Sequence, residues 1–406
     1  MGETLPNLRH LRAFSEAERL RSISRAADAV FLSQPAVTQA IAKLEVILGA
    51  QLLERAATGV SPTAAGSAYA LRVRRALLLM ESGIAEAMRI AGGHGTRSPK
   101  DALPLLTTTQ LRAFVALGTT GNFSLAARLV GSSQPAVHRS NRELEAVLVV
   151  PLFERTTRGI LLTRAGQVLW QQFKLAFAEL DQGLADVQAC AGLGLGRIAV
   201  GCMPLARHFV MPETLNGFCD EYDQVDVALI ESPYPDLLHS LRHGEIDFMV
   251  GALRYPLPVD DVVQEPLFSA ALCIAGRKGH PLEARRPVQP DDLLAYPWVL
   301  PPEGTPTRDR FERLMAARPD RRRHGLIESS SQILIRGLLK GSDRLTLISR
   351  QQVQFEVDIG HLVILDFVID DLREIGLTFR RNWQPTEVQL AFLERLRAVA
   401  ARHSES

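Results

Sequence analysis

The chain has 406 residues, 46% of them hydrophobic and 22% charged. That balance excludes disordered, collagen-like and fibrous classes, and the length allows roughly two or three domains. Lys plus Arg number 46 and Asp plus Glu 45, a net charge of +1, which taken whole argues against a uniformly basic nucleic-acid binder.

The first residues, MGETLPNLRHLRAF, lack the apolar core of a signal peptide. No run approaches the ~18 apolar residues of a membrane helix. The expectation is a cytoplasmic protein without a membrane partner. Cys190, Cys202, Cys219 and Cys273 form no C-x-x-C pair and no zinc spacing with His. They read as buried free thiols of a reducing compartment, and no metal or cofactor is expected.

The first half repeats itself at an offset of 100 without a gap. LRAF (11–14) returns as 111–114 and SQPAV (33–37) as 133–137, and 23 of 56 positions match between 11–66 and 111–166. Two copies with complete apolar patterns predict tandem domains, not a solenoid. In each copy the spacing predicts three helices, a β wing and a long helix. Leu8, Leu11 and Phe14 open the first helix; Leu111, Phe114 and Leu117 open its counterpart. Ala26, Ala27 and Val30, and Ala126, Ala127 and Val130, fit a short second helix. Val37, Ile41, Leu44 and Leu48 stripe a third, with Ser33 as cap and Pro35 in its first turn. The second copy reads Val137, Asn141, Leu144 and Leu148, so Asn141 breaks the stripe.

After Gly59 and Gly159 comes a short extended stretch and then a long helix. Tyr69, Val73, Ala76, Met80, Ile84 and Ala87 recur at near-heptad spacing, as do Leu169, Phe173, Ala176, Leu180, Leu184 and Val187. These look like dimerisation seams; the alternative is a helix packed on its own domain. GLGLG (192–196) reads as a linker. It precedes the next strand and has Arg197 at the third-glycine position, so it is no dinucleotide fingerprint.

From Arg197 strands and helices alternate. RIAVGC (197–202), VDVALIE (225–231) and DFMVGAL (247–253) are strand candidates, with helices near 207–222 and 236–243. A second run follows SAALCIAG (269–276): WVLP (298–301), a helix over 307–317, GLIES (325–329), a helix over 332–339 and RLTLIS (344–349). This βαβ order predicts mainly parallel sheet in two lobes around a cleft.

Ligands of open α/β lobes sit at strand C-termini and helix N-termini, and the latter suit anions. Met203, Pro204, Leu205, Ala206 and Arg207 follow the first strand, and Ser232 the second. Thr305 and Thr307 precede or open a helix, and Ser329 and Ser330 another. An ordinary helix cap is the competing reading for each hydroxyl. Arg207 and Arg308 could pair with an acid, although solvated surface arginines are the plainer reading, and Arg321 to Arg323 read as an exposed loop. No G-x-S-x-G, Walker loop, H-E-x-x-H or EF-hand pattern occurs, so an enzyme is not expected.

A short helix, tight turn and capped helix make a helix-turn-helix, whose second helix presents N-terminal side chains to base edges. Ser33, Gln34, Thr38 and Gln39 hold those positions in copy one; Ser133, Gln134, His138 and Arg139 hold them in copy two. Gln suits adenine and Arg suits guanine. Lys43, Arg55, Arg142, Arg155 and Arg158 are placed as phosphate anchors, which position without reading sequence.

Residues 111–166 closely resemble the DNA-binding domain of LysR-type transcriptional regulators: SQPAV, LE, LFER and LT-x-AG stand at the family's spacing. Copy one keeps a looser frame of SQPAV, LE, LLER and T-x-AG. The resemblance extends over the whole chain, although most members have a single such domain. It implies an α+β multidomain architecture: two winged helix-turn-helix domains and a two-lobed α/β effector domain of the type 2 periplasmic-binding-protein fold. The expected divisions are 1–66, a linker helix and loop over 67–103, 104–166, a linker helix over 167–196, and 197–406. Within the last, one lobe takes 197–265 and 366–406 and the other 266–365, with crossings near 264–275 and 355–367 and helix 386–401 returning to the first lobe.

The resemblance further implies double-stranded DNA, a small-molecule effector and a homo-oligomer as partners. Small hydroxylic residues would hold a carboxylate or similar group. PPEGTPTRDRF (301–311) resembles a subgroup that regulates sugar and aromatic-acid metabolism, which points to an anionic effector. Copy one has Ala56-Ala57-Thr58 where copy two has Thr156-Thr157-Arg158, so the second copy is expected to carry more of the DNA affinity. Two other readings remain: a small-molecule binder whose helical N-terminus serves protein contacts, and a regulator in which only copy two touches DNA. The charge divides accordingly: residues 1–95 and 96–196 each carry a net +3, and 197–406 a net −5. Near-neutrality is an average over two mildly basic segments and one acidic one.

Overall fold

The computed structural model describes residues 5–56, 59–92, 98–157, 159–192, 196–208, 210–316, 325–369 and 372–404. The chain forms two compact units, one built on residues 1–197 and one on most of 198–406.

In the first unit, α1 (Leu8–Leu20), α2 (Ile23–Val30), α3 (Gln34–Leu48), strands β1 (Leu53–Ala56) and β2 (Gly59–Pro62), and α4 (Ala64–Ile90) make copy one. A short α5 (Pro99–Ala102) leads to copy two: α6 (Thr108–Thr120), α7 (Phe123–Val130), α8 (Gln134–Leu148), β3 (Phe153–Thr156), β4 (Gly159–Leu162) and α9 (Arg164–Cys190). Each strand pair is an antiparallel wing.

The residues repeated between the copies are the ones that fold them. Ser33 and Ser133 cap α3 and α8, accepting from Ala36 N and Ala136 N at 3.4 and 3.3 Å. Glu45 accepts from Leu52 N at 2.8 Å and Leu53 N at 3.2 Å, and Glu145 does the same for Leu152 N at 2.7 Å and Phe153 N at 3.2 Å. One carboxylate thereby pins the third helix to the wing. Thr63 and Thr163 cap the long helices. A Cβ at Gly66 or Gly166 would stand 1.9 or 2.2 Å from the carbonyl oxygen of Leu52 or Leu152, so the T-x-AG element needs its glycine for close backbone approach.

Asn141 does lie on the buried face of α8, among Val137, Leu144 and Leu148. Its Nδ2 donates to Val137 O at 2.8 Å, and its Oδ1 is buried without a partner. The helix tolerates the break because the amide bonds back to its own turn.

The long helices settle which of the two seam readings holds in this unit: α4 and α9 pack on each other, antiparallel, within one chain. Tyr69 and Arg72 meet Gly183, while Gly83 meets Leu169 and Gln172. The apolar stripes of both helices, apart from Leu184, which is exposed against the expectation, join one continuous core with Leu8, Phe14, Leu111 and Phe114. Arg72, 3% exposed, bonds Glu179 at 3.1 Å and Asp186 at 2.7 Å, and Arg75 adds a contact to Glu179 at 2.8 Å.

In the second unit, β5 (Gly196–Cys202), α10 (Val210–Cys219), β6 (Val225–Ile230), α11 (Tyr234–Arg242) and β7 (Phe248–Ala252) form the first run. The 16-residue β8 (Val262–Arg277) follows, then α12 (Pro290–Leu293), β9 (Trp298–Leu300), α13 (Pro306–Ala316), β10 (Leu326–Glu328), α14 (Gln332–Lys340), β11 (Leu345–Ser349), α15 (Arg350–Asp358), β12 (Leu362–Ile364), β13 (Leu372–Arg380) and α16 (Glu387–Ser404). Strand order is β10-β9-β11-β8-β13-β7-β5-β6, with β12 beside β8.

The expectation of a mainly parallel sheet needs correcting. β5/β7, β9/β10 and β9/β11 are parallel, but β8 and β13 run antiparallel to all their neighbours. The returning strands of a chain that passes between two lobes enter each sheet in the opposite sense, and alternation of β and α does not reveal this. Pairing shifts along β8 from β13 (Val262 to Ala271) to β11 (Leu272 to Ala275), so one strand serves both lobes. Phe392 of α16 packs on Phe218 of α10 at 5.0 Å and on Phe248 of β7 at 5.8 Å, placing the last helix against the first lobe.

The four cysteines are free, but only Cys202 and Cys273 are buried; Cys190 and Cys219 are exposed, against the expectation. Burial pushes the Cys202 and Cys273 thiols up to about 12, so both stay protonated and unreactive.

Candidate functional site

The turn from α2 to α3 buries Ala26, Ala27 and Val37, and α7 to α8 buries Ala126, Ala127 and Val137. Small residues let the helices approach until the N-terminal half of the third helix stands clear. Gln34, Thr38, Gln39 and Lys43 are exposed there in copy one; Gln134, Arg139 and Arg142 are exposed in copy two, with His138 half-buried.

Not all of these are equally free. Gln34 Nε2 donates to Ser24 Oγ at 2.7 Å, and Gln134 Oε1 accepts from Ser124 Oγ at 3.2 Å. Thr38 Oγ1 donates to Gln34 O at 3.1 Å, and His138 lies against the Phe123 ring, centroids 5.1 Å apart. Ser33 and Ser133 are occupied as caps. Gln39, Arg139 and Arg142 form no side-chain bond to the described residues. Around α8, Gln134, Pro135, His138, Arg139, Arg142 and Glu143 line a shallow, open concavity. Arg55 and Arg155 are exposed at equivalent points of the wings, on β1 and β3; Arg158 lies outside the described residues.

In the second unit the proposed effector residues divide. Thr305 donates to Pro302 O at 2.8 Å and accepts from Arg308 N at 3.3 Å, capping the turn into α13. Thr307 is buried and accepts from Arg373 Nη1. Ser329 accepts from Ser331 N at 3.1 Å, Ser330 is exposed, and Ser232 is half-buried. Leu205 and Ala206 are core residues, 1% and 0% exposed. Met203 packs on Gly251, and Pro204 O bonds the His208 ring at 2.8 Å. The reading of Arg207 and Arg308 as solvated gives way: Arg207 is ion-paired with Glu231. Arg308 is buried with Glu312 at 2.8 Å, Glu328 at 3.5 Å and Glu303 at 3.8 Å. Arg308, with all three nitrogens engaged, is a poor receptor for a further acid. Arg321 to Arg323 lie outside the described residues.

Sequence reasoning missed two arginines whose Nε donors are buried and unused. Arg254 follows β7 and Arg373 begins β13; together they join the first lobe to the entry of α13. Arg254 Nη1 donates to Gly304 O at 2.7 Å, and its guanidinium stands over the Tyr234 ring at 4.6 Å. Arg373 Nη1 holds Thr307. The Nε atoms of both arginines and the hydroxyl of Tyr234 are buried without a partner. Burial, aided by neighbouring Arg254, pushes the Arg373 guanidinium down to about 10; burial also lowers Arg254. Both remain charged at neutral pH. Neighbouring cations with buried, unused donors have the chemistry to receive an anion. Their separation in the chain hid them, since no motif links residues 254 and 373.

Among the described residues no group of three or more His, Cys, Asp or Glu is placed to hold a metal, and no helix is long and apolar enough to cross a membrane.

Two exposed third helices of helix-turn-helix units on one chain, with a two-lobed α/β domain, define a one-component regulator that reads DNA and senses a small molecule. Comparison with known proteins gives the family. Residues 8–67 and 108–167 both match the bacterial regulatory helix-turn-helix protein, lysR family, and 191–401 match the LysR substrate binding domain. The chain belongs to the LysR family of transcriptional regulators; it is not an enzyme, and regulators of this family bind DNA and small-molecule effectors and form oligomers. It is 34% identical over 396 residues to the HTH-type transcriptional regulator GalR of Pseudomonas putida, covering 97% of this chain and 98% of that one. It is 30% identical over 291 residues to the HTH-type transcriptional regulator PcaQ of Agrobacterium fabrum, covering 71% and 94%. A full-length OxyR variant from Pseudomonas aeruginosa shares the fold with a TM-score of 0.53, at 23% identity over 72% of this chain and 93% of that one.

Proposed function

We propose that this regulator acts in the cytoplasm and responds to a small anionic metabolite, a carboxylate of the aromatic-acid or sugar-acid kind, bound between the lobes of residues 197–406. The observation that carries this is the half-buried Arg254 and Arg373, close enough for one to influence the other's charge, each with a buried, unused Nε donor. The acid takes those donors, and Thr305, Thr307, Ser329 and Ser330 serve its remaining polar groups. An anion that bridges Arg254 after β7, Arg373 on β13 and the entry to α13 stabilises one arrangement of the lobes. Differential affinity for that arrangement is what couples the effector to DNA.

On the DNA side, Gln34, Thr38, Gln39, Gln134, His138 and Arg139 face base edges, while Lys43, Arg55, Arg142, Arg155 and Arg158 neutralise phosphates. The test is calorimetric titration of the full chain with a panel of aromatic and sugar carboxylates and their neutral amides. Acids are expected to bind and amides not to; Arg373→Gln and Arg254→Gln each weaken the acid at least tenfold. Equal affinity for acid and amide, or unchanged binding in both variants, overturns the reading.

A further inference from the structure

The contacts between α4 and α9 are reciprocal at the offset of 100 that relates the copies. Gly83 of copy one meets Leu169 and Gln172 of copy two, and Gly183 of copy two meets Tyr69 and Arg72 of copy one. Residue i touches j while the equivalent of i touches the equivalent of j, which is the signature of a two-fold interface. Midway between these pairs lie Ala76 and Ala176, also offset by 100 and 1% and 0% exposed. The starts of α1 and α6 meet as well, where Leu8 N donates to Oγ1 of its equivalent, Thr108, at 3.3 Å. The first unit is therefore a pseudo-dimer within one chain.

Its polar contacts are not symmetric, and they select the partner. Arg72 and Arg75 face Glu179, Gln182 and Asp186. The equivalents of the two arginines are Gln172 and Leu175, and those of their three partners are Leu79, Ser82 and Glu86. Pairing copy two with another copy two would set buried Glu179 and half-buried Asp186 opposite Gln172, with no arginine. Pairing copy one with copy one would leave Arg72 with Glu86 alone, and Arg75 opposite Leu79 in place of a carboxylate. Leaving a buried charge unmatched is the costly case, so only the mixed pair satisfies both helices. The covalent link adds an effective concentration of order millimolar.

We propose that α4 and α9 close the reader pair inside one chain. A single chain then lays α3 and α8 on two successive half-sites of one duplex, and these half-sites differ in sequence. Half-sites of a two-fold helix-turn-helix pair lie about one helical turn apart. The copy-two half carries a guanine read by Arg139, and the copy-one half an adenine read by Gln39, because the two side chains demand different base edges. The proposal rests on the reading of α3 and α8 as recognition helices.

The experiment selects duplexes from a random library with the full-length chain and sequences the enriched motif. It is repeated with Gln39→Ala and Arg139→Ala chains, both substitutions being exposed. Two unlike half-sites are expected, with Arg139→Ala relaxing preference in one half only, roughly ten- to a hundredfold at the contacted base, and Gln39→Ala relaxing the other. Co-expressing the two variants is expected to restore nothing, because neither chain keeps an intact pair. A motif of identical halves relaxed together by Arg139→Ala, or restored binding on co-expression, would mean readers paired between chains and overturns the proposal. Failure to enrich any sequence would overturn the recognition-helix reading and the proposal with it.

Discussion

In copy one the turn between α2 and α3 places Phe31 at φ 56°, 92% exposed; in copy two Gly131 takes the same turn at φ 65°. The Gly59 Cβ position lies 2.3 Å from Arg21 O, whereas that of Gly159 is 3.5 Å from Gly121 O. Yet the caps of the third and long helices, the glutamate pin and the T-x-AG approach are the same in both. These shared bonds have stayed alike, while outward and seam positions, and Asn141 within α8, have separated. Two copies of one fold within one chain need not both pair with themselves, so each seam helix is free to specialise toward the other. What differs between the copies is thus where recognition resides, in the seam and on the reading face.

The largest asymmetry is at Arg72 and its equivalent Gln172. Arg72→Ala removes the cation that spans Glu179, Gln182 and Asp186. Breaking a buried pair by deleting one partner costs about 3–5 kcal/mol; Arg75 still reaches Glu179, so the lower end is expected. Gln172 is half-buried, and Gln172→Ala keeps the Cβ that faces Gly83, so a loss below about 0.5 kcal/mol is expected. Urea unfolding of both variants measures the difference. Equal losses would mean that the network does not discriminate between the helices.

Much of this organisation was legible in the sequence. An offset of 100 with SQPAV and LE in both copies dictated two like domains, and apolar spacing placed α3, α4, α8 and α9. The partner of each long helix was not legible, because a heptad stripe says that a helix is covered and not by what. The one available signal was charge, arginines at 72 and 75 against carboxylates at 179 and 186. In the second unit the strands could be found but not their sense, since β8 and β13 acquire antiparallel neighbours from how the chain travels between lobes. Arg254 and Arg373 are 119 positions apart and become a site only when β7 and β13 pair.

A smaller difference lies inside the third helices. Asn141 occupies the place of Ile41, and both are buried. One amide donor is spent on Val137 O, and Oδ1 has nothing. A buried acceptor without a partner costs about 1–3 kcal/mol, and copy one shows that an isoleucine fits this frame. Asn141→Ile is expected to raise stability by about 1 kcal/mol, seen as a later urea midpoint with unchanged slope. A destabilised protein would show that the two helix cores are not interchangeable.

The smallest difference is at the start of the first helices, where His10 stands opposite Gln110. Gln110 closes a capping box with Thr107 and donates to Glu143 at 3.3 Å. The equivalents are a histidine facing Lys43. Burial first, then Lys43 and Arg9, hold the His10 imidazole below the usual range, and its Nδ1 is buried without a partner. The unfolded chain therefore takes up a proton at this site more readily than the folded one. Stability from neutral His10 is present above pH 6.5 and is lost as pH falls through the folded value. His10→Gln is expected to flatten the fall in urea midpoint between pH 7 and about pH 5 while leaving the midpoint at pH 8 unchanged. Gln110→His, made with Glu143→Lys, is expected to add a second such fall. An unaltered pH profile in both variants would show that this position contributes nothing to the difference between the copies.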